Sequence, residues 1–295
     1  MVKWLFGIPY EVAFWEASYR NKQARESLMA FSHYGQALQL PGFDAQAFFA
    51  KQKDLSQALI LDVGAGMTYL PGNKAVIDGK TVTLNVHYVD PLVTYYNRIL
   101  KKYQIDRPQV EFAMMEYLSA CYPKHDVTLV MIQNALDHSA NPVKGVLEAI
   151  DALKQGGVLY LNHHPNEAEY ENYRGFHQFN ITVEKQQLII WNKTERYNIN
   201  ELLRGIAQVE TSIVDNNPVA VITKQADVPE SMIDRRADIQ RLTKALIDYS
   251  IEVNSPTRMI GYHCRLFFYR MAQWMSKLFS FRTRQRIKKI INLKQ

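Results

Sequence analysis

The stretch Ala58-Leu-Ile-Leu-Asp62-Val63 followed by Gly64-Ala65-Gly66 constrains this chain more than any other. A short apolar run of this kind reads as a strand buried on both faces of a parallel sheet. Glycines at its end permit positive φ and let other groups approach the backbone closely. In an open α/β sheet, ligands sit in the crevice beyond the carboxyl ends of the strands, so a glycine turn there is a candidate binding loop. A tight turn with no ligand is the other reading of the same residues.

The rest of the chain fits that placement. Thr83-Leu-Asn-Val-His-Tyr-Val89, Gln109-Val-Glu-Phe112, Asp126-Val-Thr-Leu-Val-Met-Ile132 and Gly157-Val-Leu-Tyr-Leu161 read as further strands. Helical spacing of apolar residues separates them, at Val93–Tyr103 and at Val143–Leu153, the latter stopping at Gly156-Gly157. Strands alternating with helices predict an α/β fold with helices on both faces of a parallel sheet. Val209–Val214 and Val219–Thr223, joined by Asp215-Asn-Asn-Pro218, predict an antiparallel pair at the end of the sheet, and Phe179–Val183 with Gln187–Trp191 predict an inserted hairpin. Three regions follow: a helical cap over 1–57, the α/β domain over 58–225 with its insertion at about 179–198, and a helical tail over 226–295.

Charge separates that tail from the body. Val253 to Gln295 holds ten Lys/Arg and no Asp/Glu, so the other 252 residues carry a net charge of −4 although the whole chain is +6. In the tail, Leu266, Phe267, Trp274, Phe279 and Phe281 interleave with Arg265, Arg270, Lys277, Arg282 and Lys288. A basic amphipathic helix of this composition suits an anionic membrane surface. Packing on the body or binding nucleic acid are alternatives; Trp and Phe beside Lys and Arg favour the membrane, and no nucleic acid is expected. No apolar run reaches the roughly 18–20 residues that span a bilayer. The N-terminal apolar run is too short for a signal peptide and is broken at Pro9. Cys121 and Cys264 match no zinc or disulfide pattern. A cytoplasmic setting is expected, with the tail placing the protein at the inner face of the membrane.

The residues around the glycine turn narrow the ligand. A dinucleotide fingerprint asks for a third glycine three residues after the second. Here Met67, Thr68 and Tyr69 follow Gly66, and then Leu70-Pro71-Gly72, which argues for a cofactor without phosphates. Asp90, 24 residues after Gly66 at the end of the next strand, can accept both hydroxyls of a ribose.

Leu61-Asp62-Val-Gly64-Ala-Gly66 resembles the first motif of class I S-adenosylmethionine-dependent methyltransferases. Asp90, in Tyr88-Val-Asp-Pro91-Leu, matches that family's ribose-binding acid, and Leu153-Lys-Gln-Gly-Gly157 resembles its R-x-L-K-P-G-G signature. The resemblance spans about residues 57–225. It implies a Rossmann-like, doubly wound, mainly parallel seven-stranded sheet with an antiparallel last strand. It also implies S-adenosylmethionine as cofactor, S-adenosylhomocysteine as product, and Asp62, Gly64, Ala65, Gly66, Asp90, Pro91 and Asn134 around them. Met114 stands where the family often has an acid on the adenine amino group. Adenine is then expected to meet the Met115 amide and an apolar wall, with Glu116 nearby.

The acceptor should meet the loops after the fourth and fifth strands. These carry Gln133-Asn134-Ala-Leu-Asp137-His138-Ser139, then Asn162-His163-His164-Pro-Asn166-Glu167, then Tyr173-Arg-Gly-Phe-His177-Gln178. Four of the eight histidines fall between 138 and 177. Transfer to an alcohol needs a general base titrating near neutrality, for which histidine fits best. His138 and His163 are the candidates, with Asp137 or Glu167 orienting the imidazole. Asn166, Glu167, Tyr173, His177 and Gln178 are candidate acceptor contacts. Asp137 capping the helix near Pro142 is the structural alternative. No metal is expected, because no tight ligand spacing is present; Asp137, His163, Glu167 and His177 are the set that could hold one. Asn134–His138, His163–Glu167 and Gly175–Asn180 also resemble methyltransferases of bacterial polysaccharide biosynthesis. That implies a sugar hydroxyl as acceptor, on a glycan or lipid-linked glycan, with a glycosyltransferase as a partner of the tail. A non-catalytic scaffold of the same fold, another small-molecule acceptor, or a nicotinamide oxidoreductase are the other readings; Met67-Thr68-Tyr69 disfavours the last.

Overall fold

The computed structural model describes residues 2–52, 54–123, 126–257 and 259–278. Three helices come first: α1 (Val2–Arg20), α2 (Lys22–Phe31) and the short α3 (Ala45–Ala50). α1 runs through Pro9 without ending. Asn21 caps α2 by accepting the Ala24 amide. β1 (Leu59–Val63) then enters the glycine turn.

No helix follows that turn. The chain bends at Tyr69 (φ 49°) and forms a hairpin, β2 (Lys74–Ile77) and β3 (Lys80–Thr83), closed by Asp78-Gly79. Both tip residues have positive φ, the conformation an Asp-Gly hairpin turn requires. β4 (Asn85–Val89) and α4 (Val93–Lys102) come next. The strand expected over Thr83–Val89 is β4, with its first residue, Thr83, belonging to β3.

The strand expected over Gln109–Phe112 reduces to one bridge, Glu111 against Val89. The Glu111 amide donates to the Tyr88 carbonyl (2.8 Å), and its carbonyl accepts the Asp90 amide (3.0 Å). Pro108 has no amide to extend the ladder, and the chain turns into the core at Ala113. The main sheet therefore has six strands, where seven were expected.

Past α5 (Leu118–Cys121) lie β5 (Val127–Gln133), α6 (Pro142–Ala152) and β6 (Leu153–Asn162). The α6 cap is Asn141, whose side chain accepts the Lys144 amide, so Asp137 is not the cap. α7 (Glu167–Tyr170) leads to an antiparallel sheet of β7 (Asn180–Glu184), β8 (Gln187–Trp191) and β9 (Arg196–Asn198), one strand more than the expected hairpin. α8 (Ile199–Leu202), β10 (Ala207–Val214) and β11 (Asn217–Lys224) follow, with Asp215-Asn216 as a two-residue turn. α9 (Arg235–Asn254) and α10 (Ile260–Leu278) end the described chain.

The strand order is β10-β11-β6-β5-β1-β4. β4, β1, β5 and β6 are parallel, β11 runs against β6, and β10 pairs antiparallel with β11 at the edge. The architecture is a Rossmann-like, mostly parallel sheet with antiparallel edge strands. The order reverses at β1, so a crevice opens over the ends of β1 and β5. Trp4, Ile8, Val12 and Tyr19 of α1 pack with Tyr96 and Ile99 of α4 and with Ala65 and Met67 of the glycine turn. Tyr19 Oη donates to the Met67 carbonyl. α1 thus covers the turn that a following helix would otherwise cover.

Candidate active site

Gly64 (φ 70°) and Gly66 (φ 55°) both occupy the left-handed region. A Cβ on Gly64 would stand 2.4 Å from Cβ of Ala135, so only glycine fits between β1 and β5 there. The Gly64 and Ala65 amides donate to the Val89 carbonyl at 2.9 and 3.2 Å, tying the turn to the end of β4. One residue on, Asp90 receives the Gly66 amide on Oδ2 (3.3 Å) and the Leu92 amide on Oδ1 (2.8 Å). Each carboxylate oxygen keeps a lone pair for a further donor. Burial pushes the Asp90 carboxyl up to about 7, against the pull of those two amides. Asp62, beneath it on β1, is also pushed up to about 7, by burial and then by the Asp90 charge.

These residues line a cavity with about 890 Å³ of empty space, part of it open to solvent. Gly64, Ala65, Gly66, Asp90, Pro91, Met115, Glu116, Asn134 and His138 all line it; Asp62 does not. Ala113, Met114 and Met115 form an apolar wall, and Trp4 and Trp15 of α1 close the cavity from above the glycine turn. Among its lining residues are the carboxylates of Glu11, Asp90 and Glu116 and no Lys or Arg. Glu116 is spoken for: its Oε1 accepts the Ala140 amide (2.6 Å) and the Asn141 amide (3.3 Å) ahead of α6. Asn134 (φ 50°) accepts the His164 amide on Oδ1 at 3.1 Å, joining the loops after β5 and β6.

A second cavity adjoins the first and shares Trp4, His138, Ser139 and Phe176 with it. Gln178, Asn192 and Glu195 supply its polar wall. Trp4 and Phe176 stack with ring centroids 5.3 Å apart at the boundary. His138 stands on that boundary, and behind it lies a compact polar cluster. His177 Nδ1 is 2.8 Å from Asp137 Oδ2 and 3.2 Å from His138 Nε2, while His138 Nε2 is 3.5 Å from Asp137 Oδ2. Burial alone would raise the Asp137 carboxyl, but the adjacent His138 charge and the His177 hydrogen bond hold it below the usual carboxylate range. His177 moves the other way, its burial outweighed by the Asp137 hydrogen bond.

His163 is placed differently from His138. It is 2% exposed, lines neither cavity, and neither ring nitrogen has a partner. Burial pushes its imidazole down to about 4. Asn166 Oδ1 and Glu167 Oε2 are likewise buried without partners. Gln178 lines the second cavity, its Nε2 donating to the Tyr173 and Gly175 carbonyls at 3.0 Å each. The Tyr173 hydroxyl accepts from Asn180 Nδ2 at 3.1 Å. Of the set expected as metal ligands, Asp137 and His177 meet, with His138 as the third member; His163 and Glu167 are not part of that group. Phe176 lies in the expected acceptor loop before β7, whereas sequence reasoning gave Trp4, Glu11 and Trp15 of α1 no part in the site.

No protein-family model matches the chain, and no curated protein matches it. Solved structures are similar in fold. A Haloferax volcanii methyltransferase, solved in complex with the Trm112 methyltransferase activator, shares 13% identity over 72% of this chain and 97% of its own, with a TM-score of 0.43. A SAM-dependent methyltransferase from Aquifex aeolicus shares 14% over 57% of this chain and 81% of its own, TM-score 0.35. One from Clostridium acetobutylicum shares 11% over 63% and 93%, TM-score 0.36.

Proposed function

We propose that this chain is an S-adenosylmethionine-dependent methyltransferase acting on a hydroxyl, with a sugar of a bacterial cell-surface polysaccharide as acceptor: O-antigen, capsule or lipid-linked glycan. One observation carries the cofactor reading. The cavity at the ends of β1, β4 and β5 presents carboxylates and no Lys or Arg. A pyrophosphate there would meet repulsion from these carboxylates with no Lys or Arg among the described lining residues to neutralise it, whereas a sulfonium with an ammonium group meets attraction. The residues fit such a ligand in shape as well. Asp90 offers its remaining lone pairs to ribose hydroxyls, Gly64 to Gly66 allow close backbone approach, and Ala113 to Met115 flank an aromatic base.

S-Adenosylmethionine, when bound, supplies an activated methyl group. The chain's own task is to align an acceptor with it and to remove a proton. The second cavity, entered past the stacked Trp4 and Phe176 rings, suits the apolar face of a sugar, with Gln178 and Glu195 for its hydroxyls. His138, at the boundary of the two cavities, takes the hydroxyl proton; Asp137 and His177 hold its ring and stabilise the imidazolium. His163, buried and away from both cavities, keeps the less direct part of shaping the loops. His138→Ala is expected to lower turnover on a glycan acceptor by roughly 10²- to 10⁴-fold with S-adenosylhomocysteine affinity retained. Unchanged turnover would instead favour the non-catalytic scaffold.

The same reading brings the protein to a membrane. No helix among the described residues is long and apolar enough to cross one. Past Leu266, however, α10 exposes Phe267, Phe268, Met271 and Trp274 together with Arg270. Two copies meeting at this face would bring like charges together, so an anionic lipid surface is the fitting occupant. Arg258 and residues 279–291 of the basic tail lie outside the described residues.

A further inference from the structure

We propose that Asp137, His138 and His177 form a binding site for a first-row divalent cation such as zinc, manganese or iron, and that this cation holds an acceptor with two neighbouring oxygens. Asp137 Oδ2, His138 Nε2 and His177 Nδ1 form a triangle with sides of 2.8, 3.2 and 3.5 Å. Ligands at right or tetrahedral angles around a metal at roughly 2.0–2.2 Å stand about 3 Å apart, so one cation can touch all three atoms. Hydrogen bonding alone satisfies the triangle poorly. Only one hydrogen fits between the two ring nitrogens, so the other nitrogen directs its lone pair at the point the carboxylate oxygen also faces. A cation satisfies all three at once.

Two observations outside the triangle point to a ligand here. The other oxygen of Asp137, Oδ1, is buried with no partner, in a residue only 3% exposed. Both nitrogens of the buried His163 are also without partners, and that ring lies within electrostatic reach of Asp137 and His138. Buried polar atoms left bare in such numbers on two neighbouring loops mark a place where something polar binds. Two histidines and one carboxylate on one side of a metal leave its other side open for substrate. His138 lines both cavities, so that open side meets their junction.

The ligand class follows from the open positions. A vicinal diol or a hydroxy acid can occupy two of them, which a lone hydroxyl cannot. With the cation present, His138 is a ligand. The acceptor hydroxyl then gives its proton to solvent because the cation lowers its pKa, in place of the imidazole taking it. This refinement of the acceptor rests on the methyltransferase reading; cation binding itself does not.

The test is calorimetry on the purified full chain after chelator treatment, titrating zinc and manganese salts and, separately, S-adenosylhomocysteine. One cation per chain is expected at micromolar affinity or better. Asp137→Asn and His177→Gln should each weaken it at least tenfold with S-adenosylhomocysteine affinity unchanged. Cobalt added to the unaltered protein should give the visible absorption of a nitrogen- and oxygen-ligated ion, a readout that does not depend on variants folding. No stoichiometric cation, or equal affinity in both variants, overturns the site. Cation binding without S-adenosylhomocysteine binding would keep the site and reject the methyltransferase.

Discussion

Asp62 and Asp90 show how burial sets the behaviour of a single residue. Both carboxyls are pushed up to about 7, chiefly by burial. Near neutrality the free protein therefore keeps protons that the unfolded chain has lost. This contribution to stability is complete at acid pH and fades as pH rises through about 7. Ribose hydroxyls and a positive ligand favour the ionised form, so binding should release a proton. Cofactor affinity is then expected to rise between about pH 6 and pH 8. Calorimetry in two buffers of different protonation enthalpy measures that release; a flat affinity with no proton exchanged would contradict it. The individual groups of this site were legible in the sequence: Asp90, Gly66, Asp137 and His138 all lie in the loops expected to carry them. Their pairing was not. Nothing in a linear reading says that His177, 40 residues from Asp137, shares one carboxylate oxygen with His138 while His163 sits apart.

Among the elements, the glycine turn is the least tolerant. Alanine at Gly64 combines positive φ with a Cβ 2.4 Å from Ala135, whereas Gly79 at the tip of the β2–β3 hairpin has the same φ problem and open space around it. Gly79→Ala is expected to cost about 1–2 kcal/mol for the left-handed backbone alone. Gly64→Ala should cost more, by about 1–3 kcal/mol of overpacking, and should also abolish cofactor binding. Thermal unfolding with S-adenosylhomocysteine titration checks both; equal melting temperatures would refute the difference. Buried strands such as β1, β5 and β6 declared themselves through short consecutive apolar runs, Leu59–Leu61, Leu129–Ile132 and Val158–Leu161. The β2–β3 hairpin lies ahead of the strand expected from Thr83, and its one sequence signal is the turn pair Asp78-Gly79. The third expected strand failed because two ladder bonds beside Pro108 are all that the sheet edge holds.

At the scale of the whole molecule, an acidic body carries a basic tail, and α1 closes the cavity that the sheet opens. The exposed Phe267, Phe268 and Trp274 predict a measurable lipid affinity. Full-length protein should sediment with vesicles containing phosphatidylglycerol, weakly with phosphatidylcholine alone, and less with both after Phe268→Ser and Trp274→Ser. Equal recovery in both lipids, or no loss in the variants, would show that charge and aromatic exposure do not act together there. The cavity's charge is the larger consequence of the fold, since carboxylates from α1, from the end of β4 and from the segment before α5 converge where, among the described residues, no Lys or Arg does. Calorimetric titration of the purified chain with S-adenosylhomocysteine, and in parallel with NAD, tests that most directly. Micromolar binding of S-adenosylhomocysteine, weakened roughly tenfold or more by Asp90→Asn, with none of NAD, is the predicted result. Binding of NAD, or no binding of S-adenosylhomocysteine, would contradict it.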